Sequence, residues 1–332
     1  MIENMYITIV VALLFIVVIL YNKITPPLLK VTNVQFMSAD YTKICKGIAM
    51  MLIMIGHCTS YFEGARLLTP FGGIGVSIFL IASGYGLNES YKRHGLSCFW
   101  KKRVLKVWIP YLIVLLLFSP VKFKSVEYLL GQMIGINCPY WFVTYILLWY
   151  VAFYVSCRWF SKYKTIVLFM FSLVSFFLYY ELAAEQSLGF IIGVLMSEHI
   201  NEIKKIIANR RHLIIMSAWS LFVIGVVFLA VKQLPELRQH QGDILYNAVQ
   251  LMIKCPISLA IILGVYYMPY VIDKTFLALT GLISYELYLV HFRLYGYIGK
   301  SLILALSVIV FSYMASWILY NINSAITKRL TK

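Results

Sequence analysis

The sequence predicts an all-α fold, a polytopic transmembrane helix bundle of about 10–11 helices, and three observations carry that prediction. Of the 332 residues, 61% are hydrophobic and only 13% charged, with a mean hydropathy of +0.83; a water-soluble core of this size could not hide so much apolar surface. Uncharged stretches recur at the length, roughly 20 residues, that a helix needs to cross the hydrocarbon layer. Those stretches are continuous and do not alternate with period two, which favours helices over a β-barrel.

In chain order the expected spans are 5–21, 44–62, 71–88, 104–119, 139–157, 165–180, 186–198, 212–231, 245–268, 275–292 and 297–320. The first carries Glu3 and no basic residue at its amino end and is followed by no small-residue cleavage site, so it reads as a retained helix and not as a signal peptide. The seventh is short and defines its boundaries least. Polar connectors of a few residues join the spans, and no internal repeat or separate soluble domain is visible.

A net charge of +16 would suggest nucleic acid in a soluble protein; here its placement gives a different reading. The cations fall in alternate loops: Lys23, Lys30 and Lys43 before the second span, six Lys and Arg between Lys92 and Lys106, and Arg158, Lys162 and Lys164 after the fifth. Lys204, Lys205, Arg210 and Arg211 precede the eighth, and Lys328, Arg329 and Lys332 end the chain. The positive-inside rule assigns all of these to the cytoplasmic side, with Glu181 and Glu185 outside. Six cysteines, at 45, 58, 98, 138, 157 and 255, show no CxxC or Cys/His zinc spacing and read as apolar packing residues, so no metal site is expected.

Within the second span Lys46 and His57 stand in an otherwise apolar run. Eleven positions are close to three helical turns, which puts them on one face about 16 Å apart along the axis. An ionisable side chain in a span needs a polar cavity or a partner, and imidazole suits proton transfer. A packed histidine with a snorkelling lysine accounts for the pair equally well. The third span, from Phe71 to Gly86, contains the small-xxx-small pairs Gly73/Ser77 and Ala82/Gly86, which read as helix packing, with Ser83 as a pore-lining candidate.

The collar Lys101, Lys102, Arg103 and Lys106 leads into Pro110-Tyr111. It reads first as a topological anchor on anionic lipid, and second as a site for a cytoplasmic polyphosphate. Pro139, Tyr140, Trp141 and Phe142 open the fifth span where an aromatic belt is expected, although the same rings could stack on a sugar. In the tenth span Ser284, Tyr288 and His291 share a face, and Glu286 is a carboxylate needing a partner that sequence does not name.

In order, these segments resemble the acyltransferase 3 family of integral membrane acyltransferases over residues 40 to about 320. The family's basic residue, ten positions and a histidine fall on Lys46 and His57; its Gly-Val-Ser-Ile-Phe run ending in Ser-Gly-Tyr falls on Gly75 to Tyr85. Its basic segment leading to a Pro-Tyr turn falls on Lys101 to Tyr111, and its late Ser-Tyr-x-x-Tyr-Leu-x-His on Ser284 to His291. One departure is that the acid often found three residues before the first basic residue is here Lys43, with Asp40 nearby. On this resemblance 1–40 is an extra amino-terminal helix and connector, and 41–332 the acyltransferase domain.

The resemblance implies acyl transfer from a thioester, usually acetyl-CoA as co-substrate with no tightly bound cofactor, to a hydroxyl of a cell-surface carbohydrate. It implies His57 as base with Lys46 lining the same passage, and Arg103, Lys106, Lys102 and Ser83 on the acyl-CoA side. Trp141, Tyr140, Ser284, Glu286 and His291 would stand on the acceptor side, in a multi-pass protein of a bacterial plasma membrane, with lipid and no nucleic acid as partner. The competing readings are a transporter or flippase in which Lys46, His57 and Glu286 line a pathway, and a membrane sensor or scaffold.

Overall fold

The computed structural model describes residues 34–59, 62, 68–118, 126–133, 140–178, 181–268, 275–297 and 301–331. The expected span 5–21, Cys138 and Pro139 lie outside the described residues. All regular structure among the described residues is helical, as the apolar runs predict.

The helices, in chain order, are α1 (Ala39–Thr59), α2 (Pro70–His94), α3 (Phe99–Arg103), a π segment (Val104–Trp108), α4 (Ile109–Phe118), α5 (Val126–Met133) and α6 (Trp141–Trp159). Then come α7 (Lys164–Leu178), α8 (Glu181–Ala184), α9 (Gly189–Glu198), α10 (Ile200–Asn209), α11 (Arg211–Val231) and α12 (Pro235–Arg238). The last are α13 (Ile244–Val265), α14 (Thr275–Leu282), α15 (Ser284–Leu294) and α16 (Leu302–Thr331). Among the described residues, 6 segments are long and apolar enough to cross a membrane: Pro70–His94, Trp141–Trp159, Ser161–Leu178, Arg211–Val231, Ile244–Val265 and Ile303–Leu330.

The chain divides into two compact units, Met1–Lys92 with Thr165–Leu282 and Arg93–Lys164 with Ile283–Lys332. In the first, glycine decides which helices touch. A Cβ on Gly47 would overlap the Leu277 carbonyl of α14, and one on Gly281 would overlap the Lys43 carbonyl of α1, so α1 and α14 meet backbone to backbone. Gly84 of α2 lies on the Phe190 backbone of α9 and Gly193 of α9 on the Ile81 backbone of α2. Such close approach is how helices associate where lipid leaves little hydrophobic driving force between them. The far end of α2 is tied to α9 by a part-buried polar network: the Asn88 amide donates to Ser197 Oγ at 2.9 Å and to Glu198 Oε1 at 2.6 Å, and the Ser197 hydroxyl donates to Glu89 Oε1 at 2.7 Å. By contrast α11 packs one face on α13 and leaves Trp219, Phe222 and Val223 exposed, as a lipid-facing helix does.

In the second unit α3, the π segment and α4 form one continuous helix with a widened turn. Pro110 has no N–H to give and its ring crowds the carbonyl four residues earlier; the Ile109 N–H reaches Val104 O instead, a five-residue step. The Val107 carbonyl in this turn accepts from the Tyr285 hydroxyl at 2.8 Å.

Two expected spans differ from the observed helices. The tenth is broken: α14 ends at Leu282 and α15 begins at Ser284, with Ile283 at φ −97 and ψ 11 between them. The seventh contracts to the 10 residues of α9, preceded by the turn Glu185-Gln186-Ser187, whose side chains are all buried. Glu185, expected in an outer loop, is therefore an interior residue, whereas Glu181 is exposed.

Candidate functional site

Lys46 and His57 sit on the unbroken helix α1, so the one-face relation expected from their spacing holds, and both are half-buried. Asp40, the nearest acid to Lys46 in sequence, is instead paired with Lys43 at 2.8 Å on the exposed first turn. Beside His57, Gly56 abuts the start of α2, with its missing Cβ only 2.5 Å from the Gly72 amide nitrogen. Ser83 is half-buried further along α2. Of the small-residue pairs on α2, Gly73 is a contact point but Gly86 is exposed with nothing near it, so the packing reading applies to the first pair and not to Gly86.

The first unit also holds a charged pair that the motif reading passed over. Lys254, in the middle of α13, forms an ion pair with Glu185; both are buried, at 7% and 5% side-chain exposure. The Lys254 chain lies across Gly73, its Cδ 2.8 Å and Nζ 3.0 Å from where a Cβ would stand. The neighbouring Gln186 amide donates to the Gly73 carbonyl at 2.9 Å, and the Ser258 hydroxyl, one turn after Lys254, is shared between the Lys254 carbonyl at 2.6 Å and the Ile74 carbonyl at 3.0 Å. A lone lysine ten places into an apolar span was visible in the sequence by the same rule that singled out His57. Its partner was not, because 69 residues separate the two.

In the second unit the remaining candidates form two groups. The guanidinium of Arg103 lies 5.1 Å from the Phe99 ring centroid and 5.3 Å from that of Tyr150. Its Nε is buried and has no hydrogen-bond partner among the described residues. Two aromatic rings at this distance attract the cation without neutralising its charge. Lys102, just before the π segment, is half-buried, and Lys106, within it, is exposed.

The other group gathers around Tyr140, which is fully buried where a surface belt was expected. Its hydroxyl donates to the Leu289 carbonyl at 2.9 Å and accepts from Arg293 Nε at 3.0 Å, and the Arg293 guanidinium covers its ring at 5.1 Å. Tyr288 joins Tyr140 and His291, with ring centroids 6.1 and 6.0 Å away. Trp141 is half-buried against Tyr145 at 6.2 Å. His291 is buried with Nδ1 2.8 Å from the Leu287 carbonyl; facing a carbonyl, Nδ1 must carry the proton, so in the neutral ring Nε2 is the acceptor. Ser284 is buried at the first turn of α15, and Glu286, also buried, interacts with the Asn323 side chain of α16. Arg293 and Asn323 are the residues of this group that the motifs did not mark.

An acyltransferase domain model matches residues 40–321. The chain belongs to the acyltransferase 3 family. No curated protein and no solved structure matches it. Family membership makes the protein an acyltransferase and, with its apolar helices, a multi-pass membrane protein. Among the described residues no group of three or more His, Cys, Asp and Glu could hold a metal ion.

Proposed function

We propose that the protein is an O-acyltransferase of the bacterial plasma membrane that moves an acyl group, acetyl in the first instance, from cytoplasmic acyl-CoA to a hydroxyl of a cell-surface glycan or its lipid-linked precursor. The observation that carries this reading is the place of His57: an imidazole that ends the apolar run after Lys46 on α1 and shares a face with it, in a chain of an acyltransferase family. A hydroxyl is a poor nucleophile until a base takes its proton, and imidazole does so near neutral pH. His57 accepts the hydroxyl proton as the oxygen attacks the thioester carbonyl. The C–O bond forms, the C–S bond breaks, and the proton passes to the departing thiolate as free CoA thiol.

Arg103, with Lys102 and Lys106, is the phosphate-binding element for the donor, since Arg matches phosphate oxygens with a planar fork. Lys46 and Ser83 line the donor side, and Trp141, Tyr140, Ser284, Glu286 and His291 serve the acceptor. The test is release of CoA thiol from acetyl-CoA by the purified protein in nanodiscs, with crude cell-envelope glycan as acceptor and His57→Ala beside it. Acceptor-dependent release lowered at least 100-fold in the variant, at equal membrane expression, is expected from the usual worth of a general base. Full activity in His57→Ala sinks the mechanism, and no release with any acyl-CoA from folded protein sinks the function.

A further inference from the structure

The ion pair of Lys254 and Glu185 costs desolvation of two charges, and a pair of that kind adds little to stability compared with apolar side chains of the same shape. Its surroundings indicate a different use. Lys254 and Ser258 of α13, and Glu185 and Gln186 of the buried turn before α9, converge on the first turn of α2: the lysine chain crosses Gly73, Gln186 holds the Gly73 carbonyl, and the Ser258 hydroxyl, shared with the Lys254 carbonyl, lies 3.0 Å from that of Ile74. The next residue back, Gly72, is the one whose amide nitrogen presses on Gly56, the neighbour of His57. Gly72 and Gly73 have no side chain of their own with which to fix this turn. The Lys254 chain occupies the space that a side chain on Gly73 would fill.

We propose that Lys254 and Glu185 are positioning residues for His57: their ion pair clamps the Gly72-Gly73 turn of α2 against Gly56 and thereby sets where the His57 imidazole stands. The role of the imidazole as base rests on the reading above; its placement by the clamp does not. Neither Lys254 nor Glu185 touches the reacting groups in this scheme. An error of about 1 Å in the base is enough to cost on the order of 100-fold in rate.

The experiment compares wild type with Lys254→Met, Glu185→Gln, the double variant and Lys254→Arg, each in nanodiscs. It reads kcat and KM for acetyl-CoA with envelope glycan as acceptor, the thermal midpoint, and the His57 ring resonances in 15N-histidine-labelled protein, assigned with His57→Gln. Each single variant should lower kcat at least 10-fold with KM for acetyl-CoA within about threefold of wild type, as expected for loss of positioning rather than of donor binding. The His57 resonances should move in both singles, and Lys254→Arg should restore them. The double should be better folded than either single, because a lone buried charge is worse than none.

His57 resonances that coincide with wild type in folded single variants overturn the proposal, whatever the rates do. A loss of kcat that follows the thermal midpoint alone, with the imidazole unmoved, assigns the pair to stability and also overturns it. If the wild type transfers no acyl group yet the resonances move as expected, the clamp stands and the reading of His57 as a base falls.

Discussion

Arg103 is the side chain whose surroundings most directly limit its role. The guanidinium lies beside the Phe99 and Tyr150 rings, and its buried Nε has no partner among the described residues; if it binds the donor's phosphates, as proposed, each hydrogen bond to a charged group contributes about 1.5–3 kcal/mol. Arg103→Ala should therefore raise KM for acyl-CoA by about 10-fold or more, while kcat at saturating donor stays close to wild type. Arg103→Lys keeps the charge but loses both the planar stack and the fork, so its KM should fall between the two. Steady-state kinetics in nanodiscs decides this. An unchanged KM in Arg103→Ala leaves the collar as a lipid anchor only.

At the scale of the helix, backbone contact through glycine is the feature with the clearest consequence. Gly281→Ala would drive a methyl group into the Lys43 carbonyl. Backbone cannot swing aside as a side-chain end can, so the cost should lie at the upper end of the about 1–3 kcal/mol of overpacking. Gly86→Ala, on the same kind of helix but with nothing within 4 Å, should be neutral or stabilising by up to about 1 kcal/mol from helix propensity. Thermal midpoints of the two variants in one detergent are the comparison; equal midpoints would mean that α1 and α14 do not meet as described. The same contacts explain what the sequence could and could not reveal. Long apolar runs such as 212–231 and 245–268 marked α11 and α13 to within a few residues because hydrocarbon selects for length and composition. The break at Ile283 and the buried turn Glu185-Gln186-Ser187 were invisible, since hydropathy does not change where a helix stops inside protein. His57 and Lys46 were legible because one unbroken helix carries both. The partner of Glu286 was not, for Asn323 arrives on a helix remote in sequence and looks in the sequence like any polar residue near a chain end.

For the whole molecule, the direction in which the chain crosses the bilayer decides whether a cytoplasmic donor can be used at all. The cation-rich stretch from Lys92 to Lys106 should face the cytoplasm, because translocating several Lys and Arg in a short loop is unfavourable. Arg103 must be on that side if it binds acyl-CoA. Cys98 lies in this stretch and is exposed, whereas Cys45, Cys157 and Cys255 are buried and Cys58 is half-buried. With Cys58 and Cys138 replaced by serine, a membrane-impermeant maleimide should label Cys98 in inside-out vesicles and leave it unlabelled in right-side-out spheroplasts, read by peptide mass spectrometry. Labelling in spheroplasts would put the collar outside and remove the donor site from the compartment that holds acyl-CoA. The clamp on α2 would survive such an inversion, since it depends on contacts within one unit, but the route of acyl transfer across the membrane would not.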